Sequence, residues 1–308
     1  MASMAAFADI FLKRPLLTDG AMGTRLCARS ISIDRCYEEL NLSDPGLILS
    51  IHEEYLQAGA EIVETNTFGA NSFRLARHGL AGKVDEINSA GVKLARQAVA
   101  RRKMKGKAWV AGSIGPLGVH LEPAGRASFE EARAAFAGQA GALAAAGADL
   151  LIIETMTALN EAHFALQAAR DFAPRLPVLA MVTVDDQSNC LDGSSPRQAA
   201  ASLTEWGASA VGVNCSIGPA TVLTAIEAMR PVTRLPLAAM PNAGMPRAVE
   251  GRNIYPYSPQ DMAGFARKAL SAGAQIVGGC CGTTPDHIRA MHSAMQAVDT
   301  HTPVAGSS

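Results

Sequence analysis

An excess of charge of either sign is missing from this 308-residue sequence: 27 Lys+Arg stand against 28 Asp+Glu, a formal net charge of -1. Without a cationic surplus to neutralise phosphates, no nucleic-acid partner is expected. Long apolar runs are missing too, although 48% of the residues are hydrophobic. None approaches the ~18 to 20 residues that a membrane-crossing helix needs, and Met1 to Pro15 lacks the layout of a signal peptide. A soluble cytoplasmic protein with no membrane partner is the expectation. Regular cysteine spacing is absent as well. The six cysteines include one adjacent pair, Cys280-Cys281, which suits thiol or metal chemistry in a reducing compartment better than a disulfide framework. No linker rich in Pro, Gly or Ser divides the chain. The stretch DGAMGTRL, which follows the first apolar run, is a poor match to G-x-G-x-x-G and argues against a dinucleotide-binding doubly wound sheet.

What is present is a rhythm. QAGAEIVETNT from Gln57, AAGADLLIIET from Ala145, EWGASAVGVNC from Glu205 and SAGAQIVGGCC from Ser271 share one grammar. A helix ends at a C′ glycine, an apolar run follows, and the run stops at residues able to do chemistry. Leu16 to Asp19, Ala108 to Ser113, Pro177 to Thr183 and Pro236 to Met240 supply four more apolar runs. Eight nearly continuous apolar strands alternating with helices are the pattern of parallel strands with both faces covered. The expected fold is α/β, a single-domain (β/α)8 TIM barrel over residues 10–298, with a disordered tail at 299–308. Helix starts are marked by Ser128 with Glu131, Ser258-Pro259 and Thr284-Pro285. In the stretch from Gly46 to Gly59, Leu47, Ile51 and Tyr55 recur at four-residue spacing and form one buried stripe.

Active sites of such barrels lie at the C-terminal ends of the strands, so the strand ends list the residues that share one basin. They are Asp19, Glu64 to Thr67, Ser113, Glu154, Thr183, Asn214 with Cys215, Asn242, and Cys280 with Cys281. Each Asp, Asn, Ser or Thr could equally be a helix cap or turn former. Cys27, Cys36 and Cys190 sit in or near irregular segments, and no role beyond small apolar filler is assigned to them. Cys215, Cys280 and Cys281 differ, because barrel closure would bring all three to one rim. Adjacent strand residues point to opposite faces, so Cys280 and Cys281 can converge only if the chain leaves the pleat, which Gly278, Gly279 and Gly282 permit. Three thiolates suit tetrahedral Zn2+ with one open position, and an incoming thiol would enter it as an electron-rich thiolate ready for alkylation. A vicinal redox or zinc-sensing pair and plain space-filling remain open on spacing alone. A zinc hydrolase is disfavoured, because the seven histidines include no H-x-H.

Seven segments in order carry a resemblance over Leu16 to His292. They are TDGAMGT at Thr18 to Thr24, ETNTFGAN at Glu64 to Asn71, GSIGPLG at Gly112 to Gly118, IIETMTALNEA at Ile152 to Ala162, VGVNCSIGP at Val211 to Pro219, MPNAGMP at Met240 to Pro246, and VGGCCGTTPDHI at Val277 to Ile288. Together they resemble the zinc-dependent homocysteine S-methyltransferases. The resemblance implies the barrel, Zn2+ as cofactor on Cys215, Cys280 and Cys281, and homocysteine with a small methyl donor as partners. It implies further that Asp19, Gly20, Thr65, Thr67, Phe68, Glu154 and Asn214 surround homocysteine, with Glu154 and Asp19 on the ammonium. The zinc-bound thiolate would attack the donor methyl carbon to give methionine. Relatives use betaine or other onium compounds, S-methylmethionine, or a methylcorrinoid and folate system. Tyr37, Tyr255 and Tyr257, with Phe68, are the aromatic candidates for an onium cage. No Trp occurs at 35–37, where the betaine enzymes place one, and Gly282 stands where S-methylmethionine enzymes tend to carry Arg. A betaine-like donor is the preferred expectation, with S-methylmethionine and a separate corrinoid protein as alternatives. Exposed barrel helices leave a homo-oligomer open.

Overall fold

The structure, a computed structural model, describes residues 14–249 and 252–299. Residues 10–13 of the expected barrel and 300–308 of the expected tail lie outside the described residues. The strands are β1 (Leu16–Leu17), β2 (Ile62–Glu64), β3 (Trp109–Ile114), β4 (Leu150–Met156), β5 (Val178–Val182), β6 (Ala210–Cys215), β7 (Leu237–Pro241), β8 (Arg247–Val249), β9 (Arg252–Ile254) and β10 (Ala274–Val277). Eight of them pair in parallel in the order β1-β10-β7-β6-β5-β4-β3-β2. A Thr18 to Ile62 bridge closes the ring, supported by Glu61 N–H to Leu17 O at 2.8 Å and Asp19 N–H to Ile62 O at 3.0 Å. This is the expected (β/α)8 barrel. The antiparallel hairpin β8-β9 is an addition that the apolar pattern did not announce.

The described helices are α1 (Met22–Cys27), α2 (Leu40–Ser43), α3 (Pro45–Ala58), α4 (Ser72–Ala76), α5 (Val84–Arg101), α6 (Phe129–Ala145), α7 (Leu159–Phe172), α8 (Pro196–Glu205), α9 (Pro219–Met229), α10 (Pro259–Ser271) and α11 (Pro285–Asp299). None is long and apolar enough to cross a membrane. Strand alternation divides the core in two. Leu16, Ile62, Leu150, Ile152, Met181 and Met240 fill the barrel interior, while Leu151, Ile153, Val211 and Val213 face the helices. Ile51 and Tyr55 of α3 are buried as their spacing requires, with Leu47 packed partly buried at the edge of the same core.

Local chemistry sets the helix ends. Ser128 and Ser258 form capping boxes with Glu131 and Asp261, and Ser195 forms a third with Gln198. Thr284 differs, because the His287 ring reaches back to its N–H and hydroxyl at 3.2 and 2.9 Å. The repeated Gly-Ala turn has one cause: Gly59, Gly147, Gly207 and Gly273 all adopt left-handed φ, between 87° and 109°, and turn each helix into the next strand. Every following strand therefore starts at the floor and delivers its last residues to the same mouth.

Candidate active site

At the end of β6 the backbone leaves the strand through two left-handed residues, Cys215 (φ 58°) and Ser216 (φ 63°), neither of them glycine. Such residues persist only where surroundings hold them. Thr183 Oγ1 accepts Ser216 N–H at 3.0 Å, Ser216 Oγ accepts Val184 N–H at 3.0 Å, and Asn242 N–H donates to Cys215 O at 3.1 Å. The turn re-aims Cys215 across the mouth. After β10, Cys280 N–H donates to Pro241 O at 2.9 Å and Ala243 N–H to Cys281 O at 2.9 Å, which pins the glycine-rich loop to the end of β7. The Sγ atoms of Cys215, Cys280 and Cys281 consequently lie within 4.8 Å of one another. Thiolates ~2.3 Å from a tetrahedral zinc sit ~3.8 Å apart, so the trio fits such an ion with a slight contraction.

The electrostatics of the sulfurs agree with that fit. Hydrogen bonds from Cys280 and Cys281 hold the Cys215 thiol down to about 3. The same contacts push Cys281 up to about 12 and Cys280 well above the usual thiol range. Three sulfurs this close ionise together only around a cation. The trio can hold a metal ion.

Beside the sulfurs is an acidic pocket. Asp19 and Glu154 are both buried. Asp19 accepts Glu64 N–H at 3.0 Å, and Glu154 accepts the Ser113 hydroxyl at 2.6 Å and the Asn214 amide at 3.1 Å. Glu64, named from its strand end without a role, lies close enough that the charges of Glu154 and Asp19 act on its carboxyl. Burial pushes all three carboxyls above their usual range. Asn214 links the two halves of the mouth: its amide nitrogen touches Glu154, Thr155 Oγ1 at 2.8 Å and Cys280 Sγ at 3.8 Å, while its oxygen takes Thr155 N–H at 2.7 Å.

The remaining sequence-derived residues divide. Gly20 lies against Tyr55 and Thr283 so closely that a Cβ there would meet Thr283 Oγ1 at 2.6 Å. Thr65 and Thr67 share a 2.6 Å hydroxyl contact and lock the ends of β2 and β3 through Ser113 N–H and O. Thr67 also presents its carbonyl to Gln139 and its N–H to Thr65 O, so its polar groups have internal partners. Phe68 packs on Gly115, with the Arg74 guanidinium 5.2 Å from its ring centre. Tyr37 places its hydroxyl 2.9 Å from Cys27 Sγ, and Tyr257 gives its carbonyl to His287. Among the tyrosines, Tyr255 is the one that the sulfurs reach. Burial and the charges of Cys281, Cys215 and Cys280 raise its pKa, against a hydrogen bond from Thr24. Its ring lies flat on Gly282 (φ 81°), where a Cβ would come within 2.2 Å of the ring. A residue that sequence reading missed is Tyr55, whose hydroxyl lies 3.0 Å from Ala21 O and 3.1 Å from Thr283 O, sharing its one proton between the two flanking loops. Its place in the α3 stripe signalled burial and gave no sign of that bond.

Comparisons with known proteins meet this geometry. The profile of the family Homocysteine S-methyltransferase matches residues 16–295. The methionine synthases of Mycobacterium leprae and Mycobacterium tuberculosis are each 33% identical to the chain over 299 residues. That match takes in 93% of this chain and 25% of theirs, so the chain spans about a quarter of the length of these curated relatives. The homocysteine methyltransferase MmuM of Escherichia coli, in its metallated form, superposes with a TM-score of 0.78 at 29% identity, covering 93% of this chain and 98% of that one. A matching profile from the first strand to the last helix, on a closed barrel with three sulfurs at its mouth, places the chain in the homocysteine S-methyltransferase family.

Proposed function

We propose that the chain is a zinc-dependent homocysteine S-methyltransferase, working as a 10–298 barrel in the cytoplasm, with a betaine-like onium compound as methyl donor. The observation that carries this reading is the meeting of three sulfurs with a buried acidic pocket, bridged by Asn214. Cys215, Cys280 and Cys281 would hold Zn2+, which supplies a substrate sulfur kept as thiolate at neutral pH. Asp19 and Glu154 accept the substrate ammonium by charge-assisted hydrogen bonds. Asn214 orients Glu154 relative to Cys280, so the amino end and the sulfur end of homocysteine are set at a fixed separation. Thr65, Thr67 and Ser113 keep the floor of that pocket rigid. Phe68, Tyr37 and Tyr257 remain aromatic candidates for the donor side, and Tyr255 is the favoured wall because its ring packs on Gly282, the residue after Cys281.

In the transfer, the homocysteine sulfur forms a bond to the donor methyl carbon as that carbon's bond to the donor nitrogen breaks, and the electron pair leaves with nitrogen. The chain's contribution is alignment of the two partners at ~3 to 3.5 Å. The test is direct. Zinc-loaded protein is given homocysteine with betaine, with S-methylmethionine, or with a methylcorrinoid, and methionine is measured. Methionine from betaine supports the full reading. Methionine from another donor keeps homocysteine methylation and overturns the donor, whereas reversible Cys280 to Cys281 oxidation without methionine from any donor would replace the enzyme with a thiol sensor.

A further inference from the structure

His287, buried on the first turn of α11, has both ring nitrogens engaged. Thr284 brings its N–H to 3.2 Å and its hydroxyl to 2.9 Å from Nδ1, and the Tyr257 carbonyl lies 2.9 Å from Nε2. A backbone N–H only donates and a carbonyl only accepts, so Nδ1 is the acceptor and the ring proton sits on Nε2. The tautomer is thereby fixed. From Tyr257 the bonds run on: its N–H donates to Ala243 O at 3.1 Å, and Ala243 N–H donates to Cys281 O at 2.9 Å. Cys281 and Thr284 belong to one short loop, so these bonds close a ring that begins and ends beside the sulfurs. The ring seats a strap, Tyr255 to Tyr257, which crosses from β9 to α10. A Cβ on Gly282, next to Cys281, would come within 2.2 Å of the Tyr255 ring, and one on Gly244 within 2.7 Å of Pro256 and Tyr257. The strap therefore lies directly on backbone. A third-position side chain that accepts the N–H at the start of its helix is an ordinary cap, as Glu131 and Gln198 show. The bond from Nε2 is what a cap does not need.

We propose that His287 is a positioning residue for methyl transfer, whose Nε2–H closes this ring of hydrogen bonds, holds the Tyr255–Tyr257 strap on the cysteine loop and so sets the aromatic wall against which the methyl donor is placed. This rests on the methyl-transfer reading above and adds a named residue to it. Asp19 and Glu154, assigned to the homocysteine ammonium, stand at the ends of β1 and β4, away from the strap. The strap thus bears on the donor and leaves the amino end of homocysteine alone. Without the Nε2 donor, the Tyr257 carbonyl loses its partner, and the segment that carries the Tyr255 ring is held by one bond fewer.

Glutamine and glutamate at this position separate the two bonds. Both can accept the Thr284 N–H as a cap, but glutamine keeps an N–H for the Tyr257 carbonyl, whereas an ionised glutamate only accepts. Zinc-loaded parent, His287→Gln and His287→Glu proteins would be compared in methyl transfer from betaine and from S-methylmethionine, and in hydrogen exchange of the strap amides. In His287→Glu the KM for the donor is expected to rise about tenfold, with kcat changed less, and the Tyr257 amide to exchange about tenfold faster. His287→Gln is expected to stay within about threefold of the parent in both readings. If His287 were only a cap, glutamate would serve at least as well as glutamine, and equal donor KM and strap exchange in the two variants would overturn the proposal. Loss in His287→Gln as deep as in His287→Glu would overturn it too, because the retained donor would then have held nothing. If the parent transferred no methyl group from either donor, the onium reading would fall, while the exchange rates would still decide whether His287 holds the strap.

Discussion

The helical shell and the barrel mouth obey different rules. In the shell, helices begin at capping boxes on Ser128, Ser195 and Ser258, and left-handed backbone falls on glycine at the repeated turns. At the mouth, Thr155, Cys215 and Ser216 take left-handed backbone without glycine, and two carboxyls, Asp19 and Glu154, are buried beside the half-buried Glu64. Local preference thus governs the four Gly-Ala turns, although Lys103 after α5 also takes left-handed backbone without glycine, and at the mouth it is overridden at three residues around the sulfurs and carboxyls. The override has visible support, because each unusual mouth residue is tied to a neighbouring strand end: Thr155 to Asn214, Ser216 to Thr183, Glu154 to Ser113.

Substitutions can separate the two regions. The largest effect is expected at the mouth. Cys215→Ala should lose bound zinc and methyl transfer together, by more than the ~100-fold that loss of an outer metal partner costs. Thermal unfolding of the metal-free proteins should stay close to that of the parent, because the core is built from strand and helix faces elsewhere. Full transfer by this variant would remove Cys215 from the ligand set.

The shell has its own exception in His52 of α3, which is fully buried with both ring nitrogens unpartnered. Burial lowers its pKa from 6.5 to about 4. The folded form therefore keeps the ring neutral, while the unfolded chain takes up a proton below about 6.5. Stability is complete above that pH and falls as pH drops towards 4, by about 3 kcal/mol from this one group. Denaturant titrations across that range should show the loss in the parent and its absence in His52→Leu. Equal pH dependence in both proteins would place the lost stability elsewhere.

A smaller effect marks the shell proper. Ser128→Ala removes a helix cap far from the chemistry and should lower stability by about 1 kcal/mol. Its kinetic constants for methyl transfer should match those of the parent, and a change in them would mean that α6 packing reaches the mouth.

Legibility in the sequence follows the same division. The repeated Gly-Ala turn, the eight apolar runs and the caps on Ser128 and Ser258 are local signals, and the barrel can be reasoned from them. The strand-end rule then collects Asp19, Glu154, Asn214 and the three cysteines, although 215 and 280 are far apart in the chain. What was not legible depends on side chains meeting across register. Nothing in ETNT distinguishes Glu64, whose carboxyl feels the charges of Asp19 and Glu154, from Thr67, whose polar groups lock β2 to β3. The β8-β9 hairpin is too short to leave a periodic signature, so the placement of Tyr255 over Gly282 emerges only from the fold. The left-handed turn at Cys215 is likewise invisible, because the side chains that hold it, Thr183 and Asn242, come from the loops after β5 and β7.

The most direct measurement is X-ray absorption at the zinc edge of freshly reduced, zinc-loaded protein, before and after adding homocysteine. Three sulfur neighbours at ~2.3 Å rising to four is the expected result, with the fourth supplied by the substrate. Nitrogen or oxygen ligands in place of the cysteine sulfurs, or a sulfur count unmoved by homocysteine, would contradict it.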